Sequence, residues 1–535
     1  MRYIFTFLSI IAIAASVVAQ DINFELKNTE IYKYKSKDKT IDIKLIGSDD
    51  NYFYYDFIPY YDYFGEGGGN NVSHLLGKLN RKDRSFSKER IDVESKDDAH
   101  KVQGIYYVNE QIVLIRERYN KATNRTKLIA QRINKKTLQL EENQKKMFEI
   151  SLDSCLYYHR AEYDIKLSKD RSKFLVFYTL LDKNNRAFRI GIRVYNNDLN
   201  ILWSNDNIKP KGVKGMFEYK NFKIANNGDV FILGKISQSA DANYLEGGEG
   251  YLKLSLGEFY YIQTPGFKYQ IYKYSMGNRG GNYVNLEIPN KAIRNVNYHI
   301  SNNDVYAYGV YSKNGTISTV GSFIFEIDFS TTSIKNLNIS SFNTALFASG
   351  LDKSDTRKYN NHIKNNQEWD PYNYKIGELK TRANGDKYFI AEQWLESSAT
   401  LNTKVFTMYY YRDFYVVSLN SNFVIKGANK IVKRQYTSLY TSRSSCLDFE
   451  ANGKLYFAFN SIFRNKGGVS KYDKSYLVSL DNSGIQKQVV INTKLNAKTP
   501  LILPLTQLKL DNSSILFANM AMKNDAFMFS KLKVR

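Results

Sequence analysis

The stretch Phe222–Gly234 reads FKIANNGDVFILG: a short apolar alternation, a polar turn and a second apolar run. Asn, Asp and Gly tolerate the backbone angles that tight turns between two strands require. The stretch therefore predicts a β-hairpin. Phrases of the same shape recur along the whole chain, which indicates that this hairpin is the unit of a repeat.

Eight such hairpins are spaced by roughly 60–80 residues, a period typical of repeat architectures. They begin at Ile41, Gln103, Tyr163, Phe222, Tyr298, Gly377, Cys446 and Leu505. A second hairpin follows each of the first seven and begins at His74, Thr126, Phe188, Tyr269, Ser322, Phe414 and Tyr476. Only the first strand of the eighth second hairpin is present, in AFMFSKLKVR at residues 526–535. The chain thus holds seven four-stranded units and one three-stranded unit.

A strand without a partner precedes the first hairpin, at Ile22–Lys35 (INFELKNTEIYKYK). Proteins avoid exposed strand edges, and a ring closed by this strand in the last unit removes the edge. We therefore predict an all-β protein, an eight-bladed β-propeller whose last blade is completed by the N-terminal strand. Seven blades is the alternative if one unit is irregular. Two stacked β-sandwiches would give similar strand spacing, but the missing strand favours the ring.

One blade carries a recognisable motif, LSKDRSKFLVFY at Leu167–Tyr178. It resembles the blade hairpin of TolB-like and dipeptidyl-peptidase-like propellers, which reads apolar-Ser-Pro-Asp-Gly-Lys-x-apolar-apolar-Phe. Lys169 stands where Pro is usual and Arg171 where Gly is usual. The resemblance implies a β-propeller of the secreted bacterial type and no particular activity, because propellers host many functions. A WD40 assignment fails, because the Trp-Asp blade ending is absent.

The first residues, MRYIFTFLSIIAIAASVVAQ, have the pattern of a secretory signal peptide (1–19) cleaved near Ala19. The apolar run is shorter than the roughly 20 residues of a comfortable membrane span. We expect residues 20–535 to form a single exported propeller domain, periplasmic or extracellular. Two cysteines, Cys155 and Cys446, make no disulfide framework and no zinc site.

The chain is basic, with a formal net charge of +23. Such a charge suits an anionic partner such as nucleic acid or an acidic polymer. The basic residues are scattered among acids, however, and no basic-aromatic groove is visible. Of the three hypotheses about partners that the sequence suggests, nucleic acid or another acidic polymer is therefore the least favoured.

The long insertions all lie in connections on one side of the predicted ring. If each blade runs a, b, c, d from the channel outwards, the a–b and c–d turns are short and share one side, the turn face. The b–c and d–a connections share the other side, the loop face, and contain the insertions 59–73, 238–268, 343–375, 395–413 and 461–475. Insertions on one side predict a binding face.

These insertions are rich in aromatic residues, which dominate protein contacts and stack on sugars. The candidate binding residues are Tyr60, Tyr61, Tyr63, Phe64, Tyr244, Tyr251, Phe259, Tyr260, Tyr261, Trp369, Tyr372, Tyr374, Tyr409, Tyr410 and Tyr411. For any one of them, packing of the loop onto its blade is the simpler interpretation. For the set, a binding face is favoured.

Sequence motifs for catalysis and metal binding are missing. The chain has no His-Glu-x-x-His, no Gly-x-Ser-x-Gly and no complete calcium loop. We predict no catalytic residue, metal ligand or cofactor, and expect His299 to be structural. The first hypothesis is a non-catalytic propeller that binds a protein partner or an envelope glycan. The alternative is a carbohydrate-active hydrolase or lyase at the channel mouth, which needs two carboxylates about 5–10 Å apart. The oligomeric state is left open.

Overall fold

The computed structural model describes most of residues 22–535. The described ranges are 22–33, 40–59, 74–91, 93, 99–153, 155, 161–181, 188–208, 217–237, 249–255, 258–263, 267–301, 304–313, 318–351, 353–365, 372–401, 404–437, 445–464, 470–484, 486–491, 501–520 and 526–535. They form eight small antiparallel sheets arranged as the eight blades of a β-propeller. The predicted fold class and the blade number of eight are confirmed.

Strands β1 (Phe24–Asn28) and β2 (Tyr32–Lys33) precede the first blade. Blade 1 consists of β3 (Thr40–Ser48), β4 (Tyr52–Pro59), β5 (His74–Asn80) and β6 (Phe86–Ile91). Blade 2 consists of β7 (Ala99–Val108), β8 (Gln111–Asn120), β9 (Arg125–Ile133) and β10 (Leu140–Ser151). Blade 3 consists of β11 (Glu162–Leu167), β12 (Lys173–Leu181), β13 (Phe188–Asn196) and β14 (Ile201–Ile208).

Blade 4 consists of β15 (Phe217–Ile224), β16 (Val230–Ser237), β19 (Phe267–Tyr274) and β20 (Asn282–Leu286). Its insertion contains β17 (Glu249–Ser255) and β18 (Glu258–Gln263). Blade 5 consists of β21 (Lys291–Ser301), β22 (Asp304–Lys313), β23 (Thr319–Asp328) and β24 (Ser333–Ser341). Two short helices follow, α1 (Thr344–Ala348) and α2 (Lys353–Lys364).

Blade 6 starts with the split inner strand β25 (Asn373–Ile376) and β26 (Lys380–Thr381). It continues with β27 (Lys387–Leu401), β28 (Lys404–Leu419), β29 (Ile425–Ile431) and the short β30 (Gln435–Thr437). Blade 7 consists of β31 (Leu447–Ala451), β32 (Lys454–Arg464), β33 (Ser470–Leu480) and β34 (Gln486–Ile491). Blade 8 contributes β35 (Leu501–Ile502), β36 (Leu508–Lys509), β37 (Ser514–Met520) and β38 (Ala526–Val534).

The N-terminal strand closes the ring as predicted. β1 pairs antiparallel with β38, with Cα partners from Phe24↔Val534 to Asn28↔Ser530. β2 extends this seam, because Tyr32 pairs with Phe527. The Thr29 amide donates to the carbonyl of Phe529 at 2.9 Å, and the Phe529 amide donates to the Thr29 hydroxyl at 3.1 Å. Blade 8 therefore takes its outer strand from the opposite end of the chain.

The core lies between the blades. Eight apolar clusters each join two neighbouring blades, and together they run once around the ring. The cluster between blades 8 and 1, for example, packs Phe527 and Phe529 against Phe53, Tyr55 and Phe57. Burial of apolar surface is the dominant favourable contribution to folding, so ring closure completes this core.

The tight turns follow from their residues. Gly228, in the opening stretch FKIANNGDVFILG, has φ of 91°, which favours glycine. Arg171, which stands where the TolB-like hairpin motif that this blade resembles has Gly, also has positive φ, at 57°. A positive φ is unfavourable for a residue with a side chain. Hydrogen bonds of Arg171 offset this conformational cost in part, because Nη1 donates to the carbonyls of Ile46 at 3.3 Å and Tyr107 at 3.2 Å. Arg171 thereby links the turn-face ends of blades 1, 2 and 3.

Candidate functional site

Two of the predicted insertions are joined in the sheet of blade 6 and extend it. β17 and β18 form a hairpin in the insertion of blade 4. β18 then pairs with β27 of blade 6, with Cα partners Phe259↔Ser398, Tyr260↔Ser397 and Tyr261↔Glu396. On the other side, β30 pairs with β28. These strands belong to the eight-stranded sheet that contains blade 6, and we call the part made of β17, β18, β27, β28 and β30 the insertion sheet.

The insertion sheet shows that two insertions share a face. Blades 4 and 6 flank blade 5 in the ring, so their b–c insertions can pair only if both leave the ring on the same side. Insertion 395–413 was predicted to be a loop, and the structure instead shows strands that prolong β27 and β28 beyond the blade. These strands were not predicted because they pair with strands at residues 249–263, more than 130 positions away, and the local sequence contains no signal for that pairing.

The other insertions are described in part. Insertion 343–375 contains α1 and α2, and residues 366–371 lie outside the described residues. The described part of insertion 461–475 prolongs β32 and β33, with Cα partners Ile462↔Tyr472 to Arg464↔Ser470, and residues 465–469 lie outside the described residues. All but the first residue of insertion 59–73 lies outside the described residues.

The aromatic candidates fall into three groups. Tyr60, Tyr61, Tyr63, Phe64, Tyr244 and Trp369 lie outside the described residues. Tyr251 is on β17, and Phe259, Tyr260 and Tyr261 are on β18, where Tyr251 and Tyr261 are Cα partners. The side chains of Tyr372, Tyr374 and Tyr411 are buried, and those of Tyr409 and Tyr410 are half-buried. A binding role for the set stays a prediction.

The buried tyrosines anchor the prolonged hairpin of β27 and β28 to blade 6. Tyr374 is 2% exposed and belongs to the core between blades 5 and 6. The amide nitrogen of Gln393 donates to the Tyr374 hydroxyl at 3.0 Å. The guanidinium of Arg412 donates to the Tyr372 hydroxyl, and its carbon lies 5.0 Å from the Tyr372 ring centroid. These contacts fix the base of the insertion sheet.

A buried ion pair lies beside this base. The ammonium of Lys433 is fully buried and donates to the carboxylate of Glu392, whose side chain is 3% exposed. Lys433 also donates to Gln435 Oε1 at 2.9 Å. Gln435 in turn donates to the Asn460 carbonyl of blade 7 at 2.9 Å. The network therefore connects the end of blade 6 with blade 7.

A second buried pair extends the network to the helical segment. Lys430 Nζ lies 2.9 Å from Asp413 Oδ2, and both side chains are buried. Lys430 also donates to the carbonyls of Phe347 at 3.0 Å and Ser349 at 2.9 Å, at the end of α1. The backbone amide of Lys433 donates to Asp413 Oδ1 at 3.0 Å. Each of these charges has a partner within the protein.

Several blades repeat a polar pair between strands b and c. The pairs are Asp56 with His74 at 3.0 Å, Glu117 with Thr126 at 2.7 Å, Asn460 with Ser475 at 3.0 Å and Asn519 with Ser530 at 2.6 Å. None of these pairs was predicted from the sequence. The signal that was available is a single polar residue at the end of an apolar run, such as Asn460 after LYFAF. Buried polar groups need such partners, so these residues are explained by folding.

Two carboxylates lie on an inner strand at the turn face, opposite the loop-face channel mouth where the enzyme hypothesis places its site. Asp448 and Glu450 lie on β31, the inner strand of blade 7, close to its a–b turn. Asp448 accepts hydrogen bonds from Lys380 at 2.7 Å and from the Tyr388 hydroxyl at 2.5 Å. Glu450 accepts one from Arg382 Nε at 3.1 Å. Both are held in pairs between blades 6 and 7, on the turn side.

At the turn-side end of the inner strands, a lysine spans three blades. Lys223 of β15 donates to the Tyr298 carbonyl of blade 5 at 2.6 Å and pairs with Glu378 of blade 6 at 2.5 Å. His299 is half-buried beside them. Burial, together with the charges of Lys223, Lys169 and Lys387, lowers the pKa of His299 from 6.5 to about 4, against the opposing effect of Glu378.

This shift predicts how stability depends on pH. Below pH 6.5 the unfolded chain protonates His299, while the folded protein resists protonation until about pH 4. Stability should therefore fall as pH drops through this window. We expect the wild-type protein to lose more thermal stability between pH 7 and pH 4 than His299→Gln, which has no group to titrate there. Melting temperatures measured across this range test the expectation, and parallel pH profiles of the two proteins would contradict it.

Among the residues that the structure describes, no group of three or more His, Cys, Asp or Glu side chains could hold a metal ion. In the same part of the chain, no helix has the length and apolar character that a membrane crossing requires.

No family model and no curated protein matches the chain. Among solved structures, the polysaccharide lyase Uly1 is 11% identical to this chain, with a TM-score of 0.33. The match covers 81% of this chain and 89% of the Uly1 chain. The β-propeller domain of the trilobed protease from Pyrococcus furiosus is 10% identical, with a TM-score of 0.33, and the match covers 86% of this chain and 98% of that one. The acylaminoacyl peptidase of Pyrococcus horikoshii is 13% identical with a TM-score of 0.33, and the match covers 91% of this chain and 59% of that one. Similarities this low concern the fold and carry no argument about activity.

Proposed function

We propose that the protein is a non-catalytic, exported propeller that binds a protein partner or a cell-envelope glycan through its loop face. The observation that carries the proposal is the insertion sheet. Two insertions from separate blades are joined by backbone hydrogen bonds, so the loop face carries an organised surface where unconnected loops would otherwise lie. Loops placed on a rigid scaffold are the usual carriers of binding.

The base of the insertion sheet supports this proposal. Gln393 and Arg412 hold Tyr374 and Tyr372, and the buried pair of Glu392 and Lys433 lies beside them. A surface that is ordered before binding loses less entropy when a partner docks. The regular strand geometry of blade 6 is thus prolonged into the face that would meet the partner.

The carbohydrate-active enzyme is the weaker alternative. General acid and base catalysis of glycoside cleavage requires two carboxylates that are free to exchange protons with the substrate. Asp56, Glu117, Glu392, Asp413 and Asp448 are all buried and hydrogen-bonded within the protein. These five carboxylates therefore stabilise the fold and are not free for catalysis.

The proposal includes export of the protein to the periplasm or the extracellular space.

Replacing residues 238–266 by a short Asn-Gly turn tests the proposal. Ser237 and Phe267 are Cα partners, so a tight turn can close blade 4 after the deletion. We expect the variant to keep the β-sheet signal and melting behaviour of the propeller and to lose at least about tenfold of its binding, since hot spots carry most of the binding energy. Binding is measured by chemical cross-linking to a cell-envelope fraction and by retention on arrays of envelope glycans.

The matched control shortens the c–d turn of the same blade, Ser275–Gly281, on the turn face. This variant should bind as the wild type does. Equal capture by the wild type and the variant that lacks 238–266, with both folded, would overturn the proposed function.

A further inference from the structure

A cavity of about 760 Å³ lies at the seam where the N-terminal segment closes the ring. One wall is formed by residues of β1, β2 and the link between them, together with β37 and β38 of blade 8. The facing wall is Asp83–Phe86, the end of the c–d turn of blade 1 and the first residue of β6. We call it the seam cavity. Its volume falls in the range of about 300–1,000 Å³ that is typical of sites for small ligands.

The seam cavity has an aromatic wall. The ring centroid of Tyr32 lies 4.9 Å from that of Phe86 and 6.4 Å from that of Phe529. Phe86 and Phe529 are 5.6 Å apart. The Tyr32 hydroxyl donates to the carbonyl of Arg84 at 3.3 Å, which holds the ring against blade 1. This wall suits the apolar or aromatic body of a ligand.

Arg84 supplies a cation in the same cavity. Its backbone has φ of 63°, and its side chain is partly buried. Its Nη1 atom is buried and finds no hydrogen-bond partner among the residues that the structure describes. Burial lowers the pKa of Arg84; the neighbouring groups that act on it are Tyr55, which opposes the shift, and Arg81, which reinforces it. Neither is an anion at neutral pH, and no carboxylate of the described residues forms an ion pair with this partly desolvated guanidinium.

The sheet of blade 8 adds positive charge. Lys27 of β1 and Lys531 of β38 are Cα partners, and both line the cavity. Like charges directly opposite each other on neighbouring strands destabilise a sheet. Lys27 is compensated in part, because Nζ lies 2.9 Å from Glu25. A ligand anion near Lys531 and Arg84 would relieve the remaining repulsion.

The acids of the cavity do not neutralise Arg84. Asp83 Oδ1 accepts hydrogen bonds from the Ser85 amide at 2.8 Å and the Ser85 hydroxyl at 2.7 Å. Glu30 is exposed at the rim. The cavity thus presents an aromatic wall, a guanidinium with no acid partner in the described part of the chain, and a second cation, Lys531, on blade 8.

We propose that the seam cavity binds a small amphipathic carboxylate, with its apolar or aromatic body against Tyr32, Phe86 and Phe529 and its carboxylate on Arg84. Arginine is suited to this task because its planar fork matches both carboxylate oxygens. The proposal is independent of the loop face, since the insertion sheet is built from blades 4 and 6 and the seam joins blades 8 and 1.

Occupancy of the seam cavity should also stabilise ring closure. Thr29 and Tyr32 belong to the closing segment, and both line the cavity. A ligand that contacts them binds only when β1 and β2 are docked on β38. Such a ligand stabilises the docked state by mass action.

The test compares naphthoate with its neutral isostere naphthamide on the full mature protein at low salt. Titration calorimetry and thermal shift are measured for the wild type and for Arg84→Gln, Arg84→Lys and Arg81→Gln. We expect naphthoate to bind the wild type at one saturable site and to raise its melting temperature. Naphthamide should bind at least about tenfold more weakly, because it loses the charge-assisted pair.

The variants separate this site from general stickiness. Arg84→Gln should weaken naphthoate binding at least about tenfold, and Arg84→Lys should weaken it less, because Lys retains the charge without the fork. Arg81→Gln is the matched control on the same turn, since Arg81 packs over the Phe53 ring at 4.5 Å and does not line the cavity. If Arg84→Gln does not fold, the comparison of Arg84→Lys with Arg81→Gln decides. Absence of saturable binding, equal binding of both ligands, or unchanged affinity in the folded Arg84 variants would overturn the proposal.

Discussion

A chain of residues 34–535 is expected to lose most of the stability of the chain of residues 20–535, or to aggregate. The deletion removes all of β1 and β2, and with them the pairing of five residues to β38. It also removes the packing of Tyr32 against Phe527 at 5.2 Å and the contribution of Ile22 to the core between blades 7 and 8. Burial of one large apolar side chain is worth about 1.5–3 kcal/mol, so the combined loss should be roughly 5 kcal/mol or more. The edge of β38 is then exposed as well.

Chemical unfolding of the full and shortened chains measures this effect, with light scattering to report aggregation. A synthetic peptide of residues 20–33 added in trans should restore stability, because the docking site on β38 is intact. A scrambled peptide of the same composition is the control and should not. A shortened chain that unfolds at the same denaturant concentration as the full chain would show that ring closure does not depend on this strand.

The second large effect is expected for the buried pair of Glu392 and Lys433. Glu392→Gln removes the carboxylate and leaves the fully buried ammonium of Lys433 without a counter-charge. Breaking a buried ion pair in this way typically costs about 3–5 kcal/mol. Lys433→Met should be similarly costly, because it leaves the Glu392 carboxylate buried alone. The double variant Glu392→Leu/Lys433→Met should be much closer to the wild type than the sum of the single changes.

A double-mutant cycle in chemical unfolding measures the coupling between the two residues. Glu287→Gln is the matched control, because Glu287 pairs with Lys268 at 3.4 Å and both side chains are more than half exposed. That surface pair should contribute less than about 1 kcal/mol. A loss for Glu392→Gln that is as small as the loss for Glu287→Gln would contradict the expectation.

The architecture could be predicted from the sequence because its signals are local. Each a–b and c–d turn carries Asn, Asp, Gly or Ser between apolar runs, as in ANNGD before Val230. Counting these hairpins indicated eight blades and an unpaired strand at each end of the array. The pairing of Leu26 with Leu532 confirms that inference. The positive φ of Arg171 also agrees with its alignment to a glycine position.

The insertion sheet could not be predicted because its pairing is non-local. Tyr260 of blade 4 pairs with Ser397 of blade 6, and nothing near either residue encodes the other. The same holds for buried charge. Glu392 and Lys433 are ordinary polar residues in the sequence, and only the fold places one against the other with their charges out of solvent. For Tyr374 the sequence pattern suggested a binding residue in an insertion, whereas the structure places this side chain in the core.

Closure by β1 also sets an order of events during synthesis. The contact of Thr29 with Phe529 joins residues 500 positions apart, so β1, the first of the described strands, pairs with β38, the last of them. Seven blades can assemble as the chain emerges, while β1 has no native partner until β38 arrives. Contacts of such long range slow folding, because the entropy of closing the loop is lost before the contact forms. A nascent chain halted before residue 526 should therefore hold an almost complete ring whose free leading strand is open to chaperones and proteases.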